Sequence, residues 1–132
     1  MATLAELADF LPNGLHDAMI RTCAIDYVER QASFEVDVWV GNMSSSGPSR
    51  EARRLARLVL TGLAFIQIEP PDPAYPYGRP EPLTIDLCDP EPSDPVVSSM
   101  PAGTFVSRLF VSNWNAFIHV AATHAELTWV ER

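Results

Sequence analysis

Proline is distributed very unevenly along this chain of 132 residues, and its clustering limits the possible folds. Ten of the twelve prolines lie between Pro70 and Gly103. Because proline has no backbone N–H and fixes φ, such a stretch is a poor central strand or helix. We predict an extended loop with no helix and at most one short edge strand, "PLTIDLC", from Pro82 to Cys88. A loop of this length in a compact domain is either mobile or functional.

Outside this stretch, apolar and polar residues alternate as they do in half-buried strands. Residues 18–40 predict an antiparallel hairpin whose connection is Glu29 to Ala32. In "SFEVDVWV" every second residue is apolar, and Glu35 and Asp37, which lie between these apolar residues, are expected to face solvent. The residues expected to face the core are Phe34, Val36, Val38 and Val40. Three C-terminal segments with short turns, "TFVSRLFVS", "AFIHVAA" and "THAELTWVE", predict a meander.

The N-terminal residues 3–11 predict a short helix, since Thr3 and Glu6 fit a capping box. Its apolar face is formed by Leu4, Leu7, Phe10 and Leu11. Residues 50–61 fit either a helix or a strand, and the Val-Leu-Thr-Gly run favours a strand. The fold class is therefore α+β, a single domain of residues 1–132. It contains mainly antiparallel sheet of about six to seven strands, a short N-terminal helix and the proline-rich insert 70–103.

The composition restricts the possible partners. The net charge is −8, the nine basic residues are all Arg, and such an acidic surface disfavours binding to nucleic acid. It favours a basic protein partner. No apolar run is long enough to span a membrane and no signal peptide opens the sequence, so we expect a cytoplasmic protein without membrane contact. Cys23 and Cys88 are predicted to be buried thiols. A homodimer is compatible with the sequence.

His16-Asp17 follows a turn signal, Asn13-Gly14, at the start of the first strand. The pair resembles the metal-binding dipeptide of HD phosphohydrolases, but no histidine precedes it as that site requires. We therefore interpret it as turn and rim structure, in which Asp17 or Asn13 closes the turn with its side chain. The three histidines and two cysteines have no close ligand spacing, so neither a metal nor another cofactor is predicted.

Seven residues are candidates for a pocket or an interface, and none is assigned a catalytic role. Trp39 lies on the polar face of its strand, where it either covers the end of the sheet or belongs to an interface. Tyr75 and Tyr77 either cover the sheet or contact a partner. His119 lies mid-strand on the same face as Phe117. The full set is His16, Asp17, Trp39, Tyr75, Tyr77, Trp114 and His119.

Two short motifs resemble those of a loose group of small bacterial β-rich proteins. They are Leu15-His16-Asp17 before the first strand and Ile25-Asp26-Tyr27 within it, with "LVLTGLAF" as a looser third match. Some members of this group are assigned as immunity proteins of polymorphic toxin systems. The resemblance covers about half of the chain. It implies an α+β fold dominated by antiparallel sheet, and it implies nothing about catalysis.

Two classes of function follow. The preferred class is a small, acidic, non-enzymatic interaction protein, of which an immunity-type inhibitor of a basic toxin is one form. The alternative is an enzyme or small-molecule-binding protein with a pocket between the sheet and the proline-rich loop. That pocket would use His16, Asp17 and His119. The two classes differ in whether these side chains converge on one concave pocket.

Overall fold

The computed structural model describes residues 2–42, 47, 52–75, 80–91 and 93–130. These ranges contain two short helices and eight strands. In chain order they are α1 (Leu4–Asp9), β1 (Ala18–Asp26), β2 (Gln31–Trp39), β3 (Arg53–Thr61), β4 (Phe65–Ile68), β5 (Leu83–Cys88), α2 (Pro95–Ser99), β6 (Phe105–Val111), β7 (Ala116–Ala122) and β8 (His124–Trp129). All strand pairs are antiparallel, which confirms the predicted class. The strand count exceeds the predicted six to seven.

The strands form one sheet in the order β4-β7-β6-β5-β1-β2-β3-β8. The chain itself joins the two ends of this order, because β4 continues β3 past Gly62 and β8 continues β7 past Thr123. We call the place where both segments bend, at Gly62 and Thr123, the corner. Two backbone hydrogen bonds there connect the β3–β8 pairing to the β4–β7 pairing. Thr123 N donates to Thr61 O (3.0 Å), and Ala64 N donates to Ala121 O (2.8 Å). The eight strands therefore form a closed circuit around a shared interior.

Apolar side chains from alternate strand positions, mostly aliphatic, fill this interior. Phe34, Val36 and Val38 are fully buried, as the period-two pattern predicts, and Val40 is half-buried. The hairpin of β1 and β2 is also confirmed, although its connection is residues 27–30. Residues 53–61 form a strand, so the choice left open by the sequence is settled in favour of β structure.

Helix α1 packs on β8 and contributes Leu4 to the core. It begins with the predicted capping box, in which Glu6 N donates to Thr3 Oγ1 and Thr3 N donates to Glu6 Oε1, both at 3.1 Å. Phe10 was expected on the apolar face, but its side chain is exposed. The helix ends at Asp9, so the helical spacing that would turn Phe10 inward does not continue.

The predicted edge strand at Pro82 to Cys88 is instead central. β5 pairs with β1 on one side and with β6 on the other. Prolines surround this strand without interrupting it, because residues 83–89 contain none. Every N–H that the two ladders need is therefore available, and the rule against central strands does not apply to these residues.

The prediction of no helix in the proline-rich insert is wrong. α2 begins after Asp94, whose Oδ1 accepts a hydrogen bond from Val96 N (3.0 Å), and Pro95 occupies the first turn. Proline is favoured at this position because the first helical N–H groups have no intrahelical partner. Neither α2 nor any other helix in the described ranges is long and apolar enough to cross a lipid bilayer.

The C-terminal meander is only partly correct. β6 and β7 form the expected hairpin, but β8 pairs with β3, beginning at Thr61 and His124. Thr123 bends the chain instead of reversing it, so β7 and β8 run in the same direction. A bend and a tight turn both interrupt the alternation of apolar and polar residues in a strand, so the local sequence does not show which of the two is present.

Three side chains are not placed as predicted. Asp37 is buried, because the side chain of Arg21 on the neighbouring strand covers it. The Nε of Arg21 lies 2.6 Å from Asp37 Oδ2. Cys23 is exposed and Cys88 is only partly buried. For Cys23 the reason is topological, since the pairing of β1 with β5 ends at Ile20 and nothing described pairs with the far side of β1 beyond it.

Gly62 is expected to be indispensable at the corner. Its φ is +61°, and an added Cβ would overlap Thr123 Oγ1 and lie 3.0 Å from the Thr123 Cβ. We expect Gly62→Ala to lower the free energy of unfolding by about 2–5 kcal/mol, which combines left-handed strain with overpacking. Urea denaturation of the purified variant measures this loss.

Gly103→Ala is the matched control, since Gly103 has φ +82° and open space around the added methyl group. It should cost only the strain, about 1–2 kcal/mol. Adding Thr123→Ala to Gly62→Ala should recover the part that comes from overlap. Equal losses for Gly62→Ala and Gly103→Ala would contradict the proposed contact.

Candidate functional site

His16 lies between two carboxylates at the start of β1. Its Nδ1 is 2.5 Å from Asp86 Oδ1, and its Nε2 is 3.3 Å from Asp17 Oδ2. Asp86 is on β5 between the core residues Ile85 and Leu87, so alternation directs its side chain to the outer face. The imidazole therefore joins the turn before β1 to the outside of β5.

The turn that carries His16 is held by bonds across the fold. Asp17 has a positive φ of 54°, and its carbonyl oxygen accepts a hydrogen bond from Trp39 Nε1 (2.8 Å). Asn13 Nδ2 donates to Trp39 O (3.0 Å) and Gly41 O (2.9 Å). The expectation that Asn13 or Asp17 closes the turn with its side chain is therefore wrong. Asn13 ties the turn to the end of β2, while the Asp17 carboxylate contacts His16.

The two carboxylates favour the charged imidazole. The hydrogen bond from His16 to Asp86 raises the pKa of His16 above 6.5, and the negative charges of Asp17 and Asp86 add to the effect. The His16 side chain is 68% exposed, so solvent screens these charges. The arrangement favours the imidazolium form, in which His16 Nδ1 donates to Asp86 and the ring is ion-paired with Asp17.

His16, Asp17 and Asp86 are also the described residues that could hold a metal ion. One ligand atom from each lies within 4.8 Å of the other two. A nitrogen and two carboxylate oxygens suit zinc and similar divalent cations. In the present geometry His16 is hydrogen-bonded to Asp86 and ion-paired with Asp17, so a cation would have to displace both contacts.

His119 forms a second histidine–carboxylate pair, with Glu69 at the end of β4. His119 Nε2 lies 2.6 Å from Glu69 Oε2, and Glu69 Oε1 accepts a hydrogen bond from Phe117 N (3.0 Å). Partial burial acts to raise the pKa of Glu69. The hydrogen bonds from His119 and Phe117, with the nearby positive charge of Arg108, outweigh it and hold that pKa below 4.5.

An aromatic pair separates the two histidines on the outer face of β5, β6 and β7. Asp86 is opposite Phe110 on β6, and Phe110 is opposite Phe117 on β7. The two phenyl rings are 5.3 Å apart, and the guanidinium of Arg108 lies 4.5 Å from the centre of the Phe117 ring. We call the outer face formed by these residues and the two histidines the aromatic face.

Among the described residues, His16 and His119 do not converge on one pocket. Each has its own carboxylate partner, and the strands that position them, β5 and β7, are separated by β6. A groove of about 280 Å³ beside the β1–β2 turn and a smaller one of about 220 Å³ beside Arg57 contain neither histidine. The arrangement is an outer surface with a histidine–carboxylate pair at each margin.

Two of the remaining predicted residues, Trp114 and Tyr75, lie near the β6–β7 turn. Trp114 packs against the core, and its carbonyl oxygen accepts a hydrogen bond from Asp72 N (2.9 Å). Tyr75 is 45% exposed, and its N–H donates to Asp72 O (2.7 Å). Tyr77 lies outside the described residues. Trp39 adjoins His16 through Asp17, as described above.

The prediction from sequence missed most of the aromatic face. Phe110 and Arg108 alternate with core residues of β6, and Phe117 does so on β7, so their outward direction was readable from the pattern. An outward phenylalanine next to an arginine is a usable signal for a surface contact. Asp86 and Glu69 carried no such signal, because their histidine partners are 70 and 50 residues away in the chain.

The segment from Glu69 to Asp94, here called the acidic segment, is fastened around this face. Arg108 Nε donates to Asp89 O (2.9 Å), and its Nη2 lies 3.6 Å from Glu91 Oε1. At the other end Asn115 Nδ2 donates to Asp72 Oδ2 (3.1 Å). The acidic segment is thus held against β6 and the β6–β7 turn at two places.

No protein-family model, curated protein or solved structure matches this chain.

The pKa of His16 should be measurably raised in the folded protein. We expect an NMR titration of its ring protons to give a value above 6.5. The stabilisation from the charged imidazole is complete below pH 6.5 and is lost as the pH rises through the raised pKa. Asp86→Asn should move the His16 pKa back toward 6.5, and Asp17→Asn should move it less. A wild-type value at or below 6.5 would contradict the geometry.

Glu69 should stabilise the end of β4 through its two hydrogen bonds. Glu69→Ala leaves Phe117 N–H without its acceptor, and we expect a loss of about 1–3 kcal/mol in urea denaturation at pH 7. Glu69→Gln keeps an oxygen for Phe117 and should lose less. Because the pKa of Glu69 is lowered, the advantage of wild type over Glu69→Gln should disappear as the pH falls below 4.5 through that pKa. A pH-independent difference would contradict the role of the charge.

Proposed function

We propose that this protein is a non-enzymatic interaction module that binds a basic protein partner through the aromatic face and the acidic segment. Immunity-type inhibition of a basic toxin is one concrete form of such a function. The observation that carries the proposal is the concentration of negative charge in one part of the fold. The contacts around the two histidines support it.

Most of the net charge belongs to the acidic segment. Residues 69–94 contain seven acidic residues and one arginine, so they account for six of the eight net negative charges of the chain. The segment includes β5 and is fastened to β6 by Arg108. A field of one sign on one side of a protein raises the association rate with a partner of opposite charge.

The described arginines of β1 and β3 are engaged elsewhere. Arg21 pairs with Asp37, and Arg57 Nη2 lies 3.9 Å from Glu35 Oε1. Arg53 and Arg54 lie over the rings of Trp39 and Trp129, at 5.1 and 4.3 Å from the ring centres. These contacts hold positive charge against β2, β3 and β8. These four arginines therefore do not neutralise the acidic segment, whose described ion-pair partners are Arg108 and the two histidines.

The aromatic face provides apolar area within this acidic surround. Aromatic side chains carry much of the binding energy in protein interfaces, and polar residues around them exclude water. Phe110 and Phe117 are partly buried by their neighbours, so little side-chain freedom remains to be lost on binding. Asp86 and Glu69 lie on opposite sides of the phenyl pair. This pattern fits a partner that presents arginine or lysine around an apolar centre.

The alternative of an enzyme or small-molecule site has less support. It requires His16, Asp17 and His119 to meet in one cavity, whereas each histidine is paired with its own carboxylate on a different strand. Proton transfer to a substrate needs a group within hydrogen-bond reach of the reacting atom. Two sites separated by the phenyl pair cannot act on one small substrate.

The immobilised protein should retain a basic partner from a lysate of its native host. We expect retention at low ionic strength and release as salt rises, because exposed charges are screened. With the partner purified, replacing Asp89→Asn and Glu91→Gln together should lower the association rate about threefold to tenfold. Stopped-flow or biosensor kinetics give this rate.

The control removes the same charge from another part of the surface. Asp9→Asn with Glu126→Gln changes α1 and β8, outside the acidic segment, and should leave the association rate within about twofold. Phe110→Ala should raise the dissociation rate more than it lowers the association rate. A partner that is neutral or acidic, or equal effects of the two double variants, would contradict the proposal.

A further inference from the structure

The circuit of strands closes through the bends between β3 and β4 and between β7 and β8, but β4 and β8 each keep one side without a neighbouring strand. Among the described residues, the chain covers only the free side of β8. β4 and β8 stand at the ends of the strand order, so each has a single hydrogen-bonded neighbour strand. The edge of β8 is partly covered, since Ala125 N donates to Ala2 O (2.8 Å) and α1 packs beside it. No described strand or backbone segment covers the free side of β4 in this way.

The hydrogen bonds to β7 determine which groups of β4 face outward. Glu69 N donates to Phe117 O (3.1 Å), in the same register as the β4–β7 pairs. Backbone N–H and C=O groups in a strand point alternately to its two sides. The odd-numbered residues of β4 therefore bond to β7, and Ile66 and Ile68 direct their N–H and C=O groups to the free edge.

A groove lies beside this edge. It has a volume of about 280 Å³ between residues 63–66 and the β1–β2 turn, whose Asp26, Tyr27 and Arg30 form the other wall. Leu63 N donates to Arg30 O (2.8 Å), which fixes the spacing of the two walls. Tyr27 is 83% exposed, so one wall offers a phenol ring to an incoming group.

Unprotected edges are rare in soluble proteins, because an edge strand attracts other strands. Proteins commonly protect them with short strands, proline, charged side chains or a covering element. β4 is short, at four residues, but "FIQI" contains neither a proline nor a charge. Ile68 is also 46% exposed. The edge thus combines open backbone groups with apolar surface, which is the chemistry that an extended peptide matches.

We propose that β4 receives an extended segment of a partner protein as an additional antiparallel strand, with an apolar side chain of that segment in the groove. The segment is basic, and this part of the inference rests on the proposed function. The net charge of −8 favours arginine or lysine at alternate positions, and in the turn beside the groove the exposed Asp26 and Glu29 outnumber Arg30. A second copy of this chain would bring another eight negative charges to the edge.

The test uses a defined probe, a capped seven-residue peptide of alternating valine and arginine. Binding should slow hydrogen exchange at the Ile66 and Ile68 amides, with little change at the amides that already bond to β7. The same peptide N-methylated at alternate residues cannot donate to β4 and should bind at least tenfold more weakly. NMR titration gives both readouts.

Two variants of Ile68 separate the backbone edge from its side chain. Ile68→Pro removes one outward N–H without touching the β4–β7 ladder, and it should weaken peptide binding at least tenfold. Ile68→Thr keeps that N–H and should stay within threefold of wild type. Thermal melts confirm that both variants fold. Unchanged binding by Ile68→Pro, or slow exchange at Ile66 and Ile68 in a dimer without peptide, overturns the inference.

A further arm separates this inference from the proposed function. Asp89→Asn with Glu91→Gln should leave peptide binding within threefold of wild type, since neither residue lines the groove. Loss of binding in this variant but not in Ile68→Pro would overturn edge addition and leave the acidic segment as the binding surface. If Ile68→Pro weakens peptide binding and no basic partner is recovered from lysate, the result would support edge addition and contradict the proposed function.

Discussion

The contact between Gly62 and Thr123 is the constraint on which the rest of the structure depends. Two strands bend at this corner, and each then serves two parts of the sheet, β3 with β4 and β7 with β8. A side chain at position 62 would occupy the space of Thr123, whose Oγ1 donates to Thr61 O (3.1 Å). Without the bend the pairing of β3 with β8 could not continue into the pairing of β4 with β7. The closed circuit, its aliphatic interior and its outward surfaces all follow from that geometry.

Closure leaves the polar chemistry of the chain on the outside of the sheet. Because the interior is filled by aliphatic side chains, the charged groups meet as cross-strand pairs on the outer face. His16 with Asp86 and His119 with Glu69 are two of these outer-face contacts, each between a strand residue and a residue just outside a strand, and each joins segments that are far apart in sequence. Their exposure limits their contribution to stability. The same exposure lets them form the margins of a surface that another protein can contact.

The proposed binding surface and the proposed strand addition would be two ways of holding one partner. The acidic segment and the phenyl pair offer electrostatic attraction and apolar anchorage, while β4 offers backbone hydrogen bonds that are independent of side-chain identity. Charge acts mainly on the association rate, whereas an added strand acts mainly on the lifetime of the complex. A basic protein with one extended, apolar segment could use both. These roles are separable because the carboxylates of Asp89 and Glu91 do not line the groove beside β4.

Local patterns in the sequence determined much of the secondary structure. The capping box at Thr3, the alternation around Val36 and the strand character of residues 53–61 depend on neighbours along the chain, so they could be predicted. Asp94-Pro95 was also a readable helix start. Tertiary structure decided what depends on distant residues: that β5 is central, that β8 joins β3, and that Asp37 is buried under Arg21. It also decided the candidate site, because the carboxylates that bind His16 and His119 come from strands brought together by the closed sheet. Alternation records which side of a strand is apolar, but it does not record which strand lies beside it.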